Sequence, residues 1–128
     1  MKYLLDTHTF LWWITDSQHL SQMAREIVGD GHSELYWSSA GSWEIAIKYN
    51  LGRLPLPEAP ELLIPTELAR NRIDVLPIFN EHAFKAGQLP MHHRDPFDRL
   101  LIAQAQLEGM AIISNDRQMN LYDVDMAW

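Results

Sequence analysis

A chain of 128 residues is one domain in length and long enough to bury a hydrophobic core. No stretch approaches the roughly 18 apolar residues of a membrane span, and Asp6 interrupts the first apolar run, so neither a transmembrane helix nor a signal peptide is expected and the chain reads as cytoplasmic. The absence of cysteine excludes disulfides and thiolate zinc sites, and a net charge of −7, from 17 acids against 10 Lys and Arg, argues against a nucleic-acid binder with a basic face unless the acids gather around divalent cations that reverse the local field.

Residues 2–6 read as a short buried strand ending at Asp6, and Thr7 to Ile14 as a helix. Asp6 is placed to cap that helix, and the Thr7 hydroxyl to cap it or hold a water. Trp12 and Trp13 point about 100° apart on a helix, so one buried face cannot centre both, and part of this helix is a candidate interface. Leu20 to Val28 is amphipathic and is stopped by Gly29-Asp30-Gly31. Leu35 to Trp37 is a second strand, ending at Ser38-Ser39. A helix from Ser42 to Leu51 follows, with Glu44 in its first turn and a Gly stop. Glu44 and Lys48 lie four apart with the acid first, the spacing of a surface ion pair.

The Pro-rich run from Leu54 to Pro60 reads as a surface excursion, with a helix beyond it to about Asn71. Ile73 to Pro77 is a third strand and Glu81 to Gln88 a short helix. Met110 to Ser114 is a fourth strand, followed by Asn115-Asp116-Arg117, and Val124 to Trp128 reads as a last edge strand.

The most informative stretch is His92-His93-Arg94-Asp95-Pro96-Phe97-Asp98-Arg99, which runs into Leu100-Leu101-Ile102-Ala103-Gln104-Ala105. Pro96 suits a first helical position, which puts Asp95 at the N-cap and Asp98 in the first turn. Asp98 shares a face with Leu101, Ile102 and Ala105, and a carboxylate on a core-facing stripe is costly to bury without a partner. Arg99 begins the opposite, polar side with Gln106. Asp95 and Asp98 together also read simply as a capping pair for the first-turn amides.

Short apolar strands alternating with helices, without hairpin signals or repeats, imply an α/β domain: a parallel sheet with helices on both faces. Ligands of such sheets bind beyond the C-terminal ends of the strands. Asp6, Glu44, Asp98 and Asp116 all fall at that end. Each alone is satisfied by a capping role, but four together repel unless something positive lies between them. Hard oxygen ligands without Cys or an HExxH pair suit Mg²⁺ or Mn²⁺ and chemistry on a phosphodiester. No Walker A loop, GxGxxG or GxSxG elbow is present.

Asp6 in Leu-Leu-Asp-Thr-His, Glu44 in Ser-Trp-Glu-Ile-Ala-Ile-Lys, Asp98 in His-Arg-Asp-Pro-Phe-Asp-Arg-Leu-Leu-Ile-Ala-Gln-Ala and Asp116 in Ile-Ile-Ser-Asn-Asp resemble the PIN-domain nucleases, and among them the VapC-type toxins of type II toxin–antitoxin systems. The resemblance covers essentially the whole chain, 1–128, and implies a single PIN-like domain with a short parallel sheet of about four to five strands. It further implies a Mg²⁺- or Mn²⁺-dependent endoribonuclease with Asp6, Glu44, Asp98 and Asp116 as the acidic set. The metal would lie among Asp6, Asp98 and Asp116, with Asp95 either a further ligand or only a cap. A homodimer inhibited by a small antitoxin protein is also implied. Thr7, Lys48, Arg94 and Arg99 are candidate contacts to the RNA substrate, with Arg117 a further cation in the same region, and each cation is equally readable as a solvated charge. His92 and His93 read as an exposed loop pair that could touch substrate.

Two rival readings stand beside this one. An aspartyl-nucleophile phosphatase built on Asp6 wants a second acid two residues on, where His8 stands. A catalytically idle binding module would act through a Trp-rich surface, with the acids as caps.

Overall fold

In the computed structural model, which describes residues 1–128, strands and helices alternate as the apolar runs predict. The strands are β1 (Lys2–Leu5), β2 (Glu34–Ser38), β3 (Ile73–Leu76), β4 (Ala111–Ile113) and β5 (Met126–Ala127). The helices are α1 (Thr7–Ile14), α2 (Gln22–Gly29), α3 (Ser39–Asn50), α4 (Pro60–Arg70), α5 (Asn80–Gln88) and α6 (Pro96–Glu108). All pairings are parallel, in the order β3-β2-β1-β4-β5. The chain thus winds outward from β1 in both directions, and the reversal of order beside β1 opens a crevice at the C-terminal ends of β1 and β4.

Burial on both faces explains the composition of the central strands. Successive side chains of a strand point to opposite sides, yet Leu4 and Leu5 are both fully buried, as are Ile112 and Ile113. Leu4 and Ile112 join Leu101, Ile102, Ala103 and Met119 in one core layer beneath α5 and α6. Leu5 and Ile113 join Phe10, Trp37, Ile45 and Ile64 in the other, beneath α1 to α4. Gly109 ends α6 in the left-handed conformation (φ 68°), where a side chain would be strained.

Three expectations about the elements change. Helix α3 starts at Ser39, directly from β2, because the Ser38 hydroxyl accepts from the Ala40 amide and caps it there; Glu44 therefore lies in the second turn. Pro60 opens α4 at its first position instead of closing the loop, and Pro65 lies inside the helix. Strand β5 is only 2 residues long, anchored by the Ile112 amide to Asp125 O (2.8 Å) and the Ser114 amide to Ala127 O (3.2 Å). No helix is long and apolar enough to cross a membrane.

Candidate active site

Asp6, Asp95, Asp98 and Asp116 reach the crevice from the ends of elements, and Glu44 reaches it from the second turn of α3. Asp6 follows the last residue of β1, and its amide donates to Ile113 O (3.2 Å), which clamps the strand tip to β4. Its Oδ1 accepts from the His8 amide (3.1 Å), capping α1, while Oδ2 accepts from Ser114 Oγ (2.5 Å). The cap and the site residue are thus one side chain. Burial pushes the Asp6 carboxyl above its ordinary range, and the Ser114 and His8 hydrogen bonds only partly offset this.

The two carboxylates of α6 divide their roles. Asp95 takes the cap, Oδ1 accepting from the amides of Phe97 (2.9 Å) and Asp98 (3.4 Å). The Asp98 carboxylate accepts none of the first-turn amides and faces the crevice instead, so the reading of both acids as a capping pair does not apply. Burial first, then the charges of Asp95, Asp6, Glu44 and Asp116, push its pKa up to about 8. Asp116 lies beyond β4, with Oδ1 accepting from the Gln118 amide (2.9 Å), which fixes the turn that carries it. Glu44 is buried: Oε1 accepts from Thr7 Oγ1 (2.7 Å) and Oε2 from Lys48 Nζ (2.8 Å). The Glu44–Lys48 pair forms as its spacing predicts, but at the wall of the crevice rather than on an open surface.

Together Asp6, His8, Glu44, Lys48, Asp95, Asp98, Asn115 and Asp116 line a cleft of about 260 Å³ without one apolar side chain. Its five carboxylates face a single lysine, so the cleft as built is short of positive charge. The donor set is hard oxygen, and this acidic cluster can hold a metal ion.

The histidine pair divides, with His92 exposed and His93 buried. His93 Nδ1 accepts from the Asp95 amide (3.2 Å), which leaves the proton on Nε2. Nε2 lies 2.9 Å from an oxygen of Asp98 and 2.9 Å from one of Asp116, with the hydrogen bond directed at Asp116. Sequence reasoning also passes over Ser114, whose hydroxyl donates to Asp6 and accepts from the Asp116 amide (3.0 Å), coupling the two carboxylates.

The remaining expected contacts separate. Lys48 lines the cleft, and Thr7 reaches it through Glu44. Arg94 is exposed, outside the cleft wall. Arg99 is not on a polar side of α6: it is 8% exposed, and its guanidinium donates to the carbonyls of Ala86 (2.8 Å), Leu89 (3.0 Å), Pro90 (3.0 Å) and His93 (3.3 Å). With both terminal nitrogens bonded to backbone carbonyls, Arg99 braces the turn before α6.

This parallel sheet with acids gathered at its C-terminal edge is a fold with relatives. The family model of the PIN domain matches residues 3–125, and the chain belongs to that family. It is 30% identical over 122 residues to Ribonuclease VapC22 of Mycobacterium tuberculosis, across 91% of this chain and 88% of that protein. Ribonuclease VapC16 of the same organism is 39% identical over 62 residues, which span 48% of this chain and 43% of that protein. In fold the chain is similar to a chain in the crystal structure of VapBC2 from Rickettsia felis bound to a DNA fragment from their promoter, with a TM-score of 0.71 over 98% and 97% of the two chains and 15% identity.

Proposed function

We propose that this protein is a Mg²⁺- or Mn²⁺-dependent endoribonuclease, the toxin of a toxin–antitoxin pair, acting in the cytoplasm as a homodimer and restrained by a small antitoxin protein. One observation carries the reading: five carboxylates converge on a cleft that holds one lysine, where burial and then the neighbouring negative charges lift Asp98 to about 8. A divalent cation relieves that repulsion. The names of VapC22 and VapC16, both ribonucleases, and the VapBC complexes of similar fold point the same way.

Asp6, Asp98 and Asp116 would hold the metal, with Asp95 beside them at the helix cap. Once bound, the ion supplies charge neutralisation at the phosphodiester and activation of water. Glu44 is held by Thr7 and Lys48 and orients Lys48 toward the cleft; two of the three ammonium donors remain for a phosphate oxygen. Arg94, next in sequence to the cleft residue Asp95, adds an exposed cation. His93 is unsuited to deprotonate a ribose 2′-hydroxyl, because Nδ1 already accepts and Nε2 carries the proton.

Cleavage of RNA by the purified protein in Mn²⁺ is expected to leave 5′-phosphate and 3′-hydroxyl ends, and to be abolished by EDTA or by Asp98→Asn. Cyclic phosphate ends formed in EDTA would overturn the metal route.

A further inference from the structure

Next to the carboxylate cleft lies a second cavity of about 490 Å³, within the range of small-ligand sites, at the C-terminal ends of β4 and β5. Ser114, Asn115, Arg117, Asn120, Met126 and Trp128 line it, and Asn115 lines both it and the cleft. A polyanion drawn to the cleft meets five carboxylates, so its grip must come from cations at the side. Four of the ten Lys and Arg are engaged elsewhere: Lys48 is paired with Glu44, Arg25 with Asp16 and Arg70 with Glu67, and Arg99 is spent on carbonyls. Of the other six, Arg117 lines the second cavity.

Chemistry suited to a nucleobase accompanies it. The side-chain amides of Asn115 and Asn120 make no internal hydrogen bond and offer a donor and an acceptor each. Trp128 leans on Trp12, with ring centroids 5.8 Å apart, and gives the cavity an aromatic wall on which a base can stack. The turn carrying Arg117 is already set, since the Asp116 amide donates to Ser114 Oγ (3.0 Å) and the Gln118 amide to Asp116 Oδ1 (2.9 Å). Little ordering is needed on binding.

We propose that this cavity takes the nucleotide adjoining the scissile phosphate of a single-stranded RNA. The base stacks on Trp128, Asn115 and Asn120 contact its edge, and Arg117 holds the flanking phosphate, so the cavity sets which sequence is cut. The inference rests on the endoribonuclease reading, and the test separates the two. Binding of a fluorescent single-stranded oligoribonucleotide is measured at low salt in EDTA on an Asp98→Asn background, and cleavage positions are mapped in Mn²⁺ with Asp98 intact. Arg117→Gln is expected to weaken binding about tenfold and to lower the salt slope by about one. Trp128→Ala weakens binding by a similar factor, and Asn120→Ala redistributes the cut positions. Arg53→Gln, an exposed cation outside both cavities, is the control. Because Arg117 and Asn120 are exposed, their variants remain informative even if Trp128→Ala fails to fold. No measurable binding, or wild-type binding in Arg117→Gln with unchanged cut positions in Asn120→Ala, overturns the subsite while wild-type cleavage keeps the nuclease. Binding that Arg117→Gln weakens, in a protein that cuts no RNA in Mn²⁺, upholds an RNA subsite and removes the nuclease.

Discussion

Asp98 concentrates the electrostatic tension of the molecule. Its carboxyl is raised to about 8 in the folded chain, against ~4 for an exposed aspartate. Between those values the unfolded chain has released a proton that the folded chain still holds. The metal-free protein therefore loses stability as pH rises from about 4 to about 8, and is most stable with respect to this group below that window. Asp98→Asn is expected to flatten the profile and to raise the metal-free thermal midpoint near pH 8, while abolishing Mn²⁺ binding. Thermal melts across pH, paired with calorimetric titration of Mn²⁺, check both halves. A variant that still binds Mn²⁺ with wild-type affinity, or melts lower at pH 8, contradicts the role given to Asp98.

Among the elements, the turn between α5 and α6 depends on one buried cation. Arg99 ties down the carbonyls of Ala86, Leu89, Pro90 and His93, and Tyr122 Oη accepts from the His93 amide (2.8 Å) while donating to Pro90 O (2.7 Å). Arg99→Met strands several carbonyls in a buried site and is expected to cost about 3 kcal/mol in urea unfolding. Arg99→Lys recovers only part of this, since an ammonium lacks the planar fork. The junction of β2 and α3 is constrained by packing instead. A Cβ on Gly41 would lie 2.6 Å from the Trp37 ring, which is buried against Phe10 and tied to Ser42 Oγ through Nε1 (2.8 Å). Alanine gains up to ~1 kcal/mol in helix propensity, but overpacking costs about 1–3 kcal/mol, so Gly41→Ala is expected to destabilise. These two sites show where local pattern stops. The strand and helix order is legible because apolar runs and caps are local, and Asp6, Asp98 and Asp116 are legible because each lies close to an element boundary, whereas Glu44 lies inside α3. The burial of Arg99 is not, since a charge after a helix start looks solvated until the preceding turn folds over it. His93 is similar: its partner Asp116 lies 23 positions away, and nothing in the loop announces it.

On the scale of the whole molecule, the exposed aromatic surface is not where the sequence suggests. Trp12 packs on His8, His19 and Trp128, and Trp13 Nε1 donates to Asn71 (2.9 Å), so both are half-buried within the chain. Trp43 is the tryptophan left open, 59% exposed and edge-on to Phe97, with Ile47 and Leu51 exposed at the next turns of the same face. A stripe of that kind invites association. Sedimentation at tens of micromolar is expected to give a dimer that Trp43→Ser converts to monomer; a wild-type monomer there would free this face of any such role.

The hydrogen bond from Ser114 to Asp6 joins residues 108 positions apart. During synthesis the first carboxylate emerges early, yet it has no Ser114 to restrain it and no Asp98 or Asp116 beside it until β4 has docked against β1. Nothing resembling the finished cleft exists in the nascent chain before that late event. Helices α1 to α4 are free of the ribosome sooner, so any partner that recognises them has an interval in which to bind before the carboxylates are assembled.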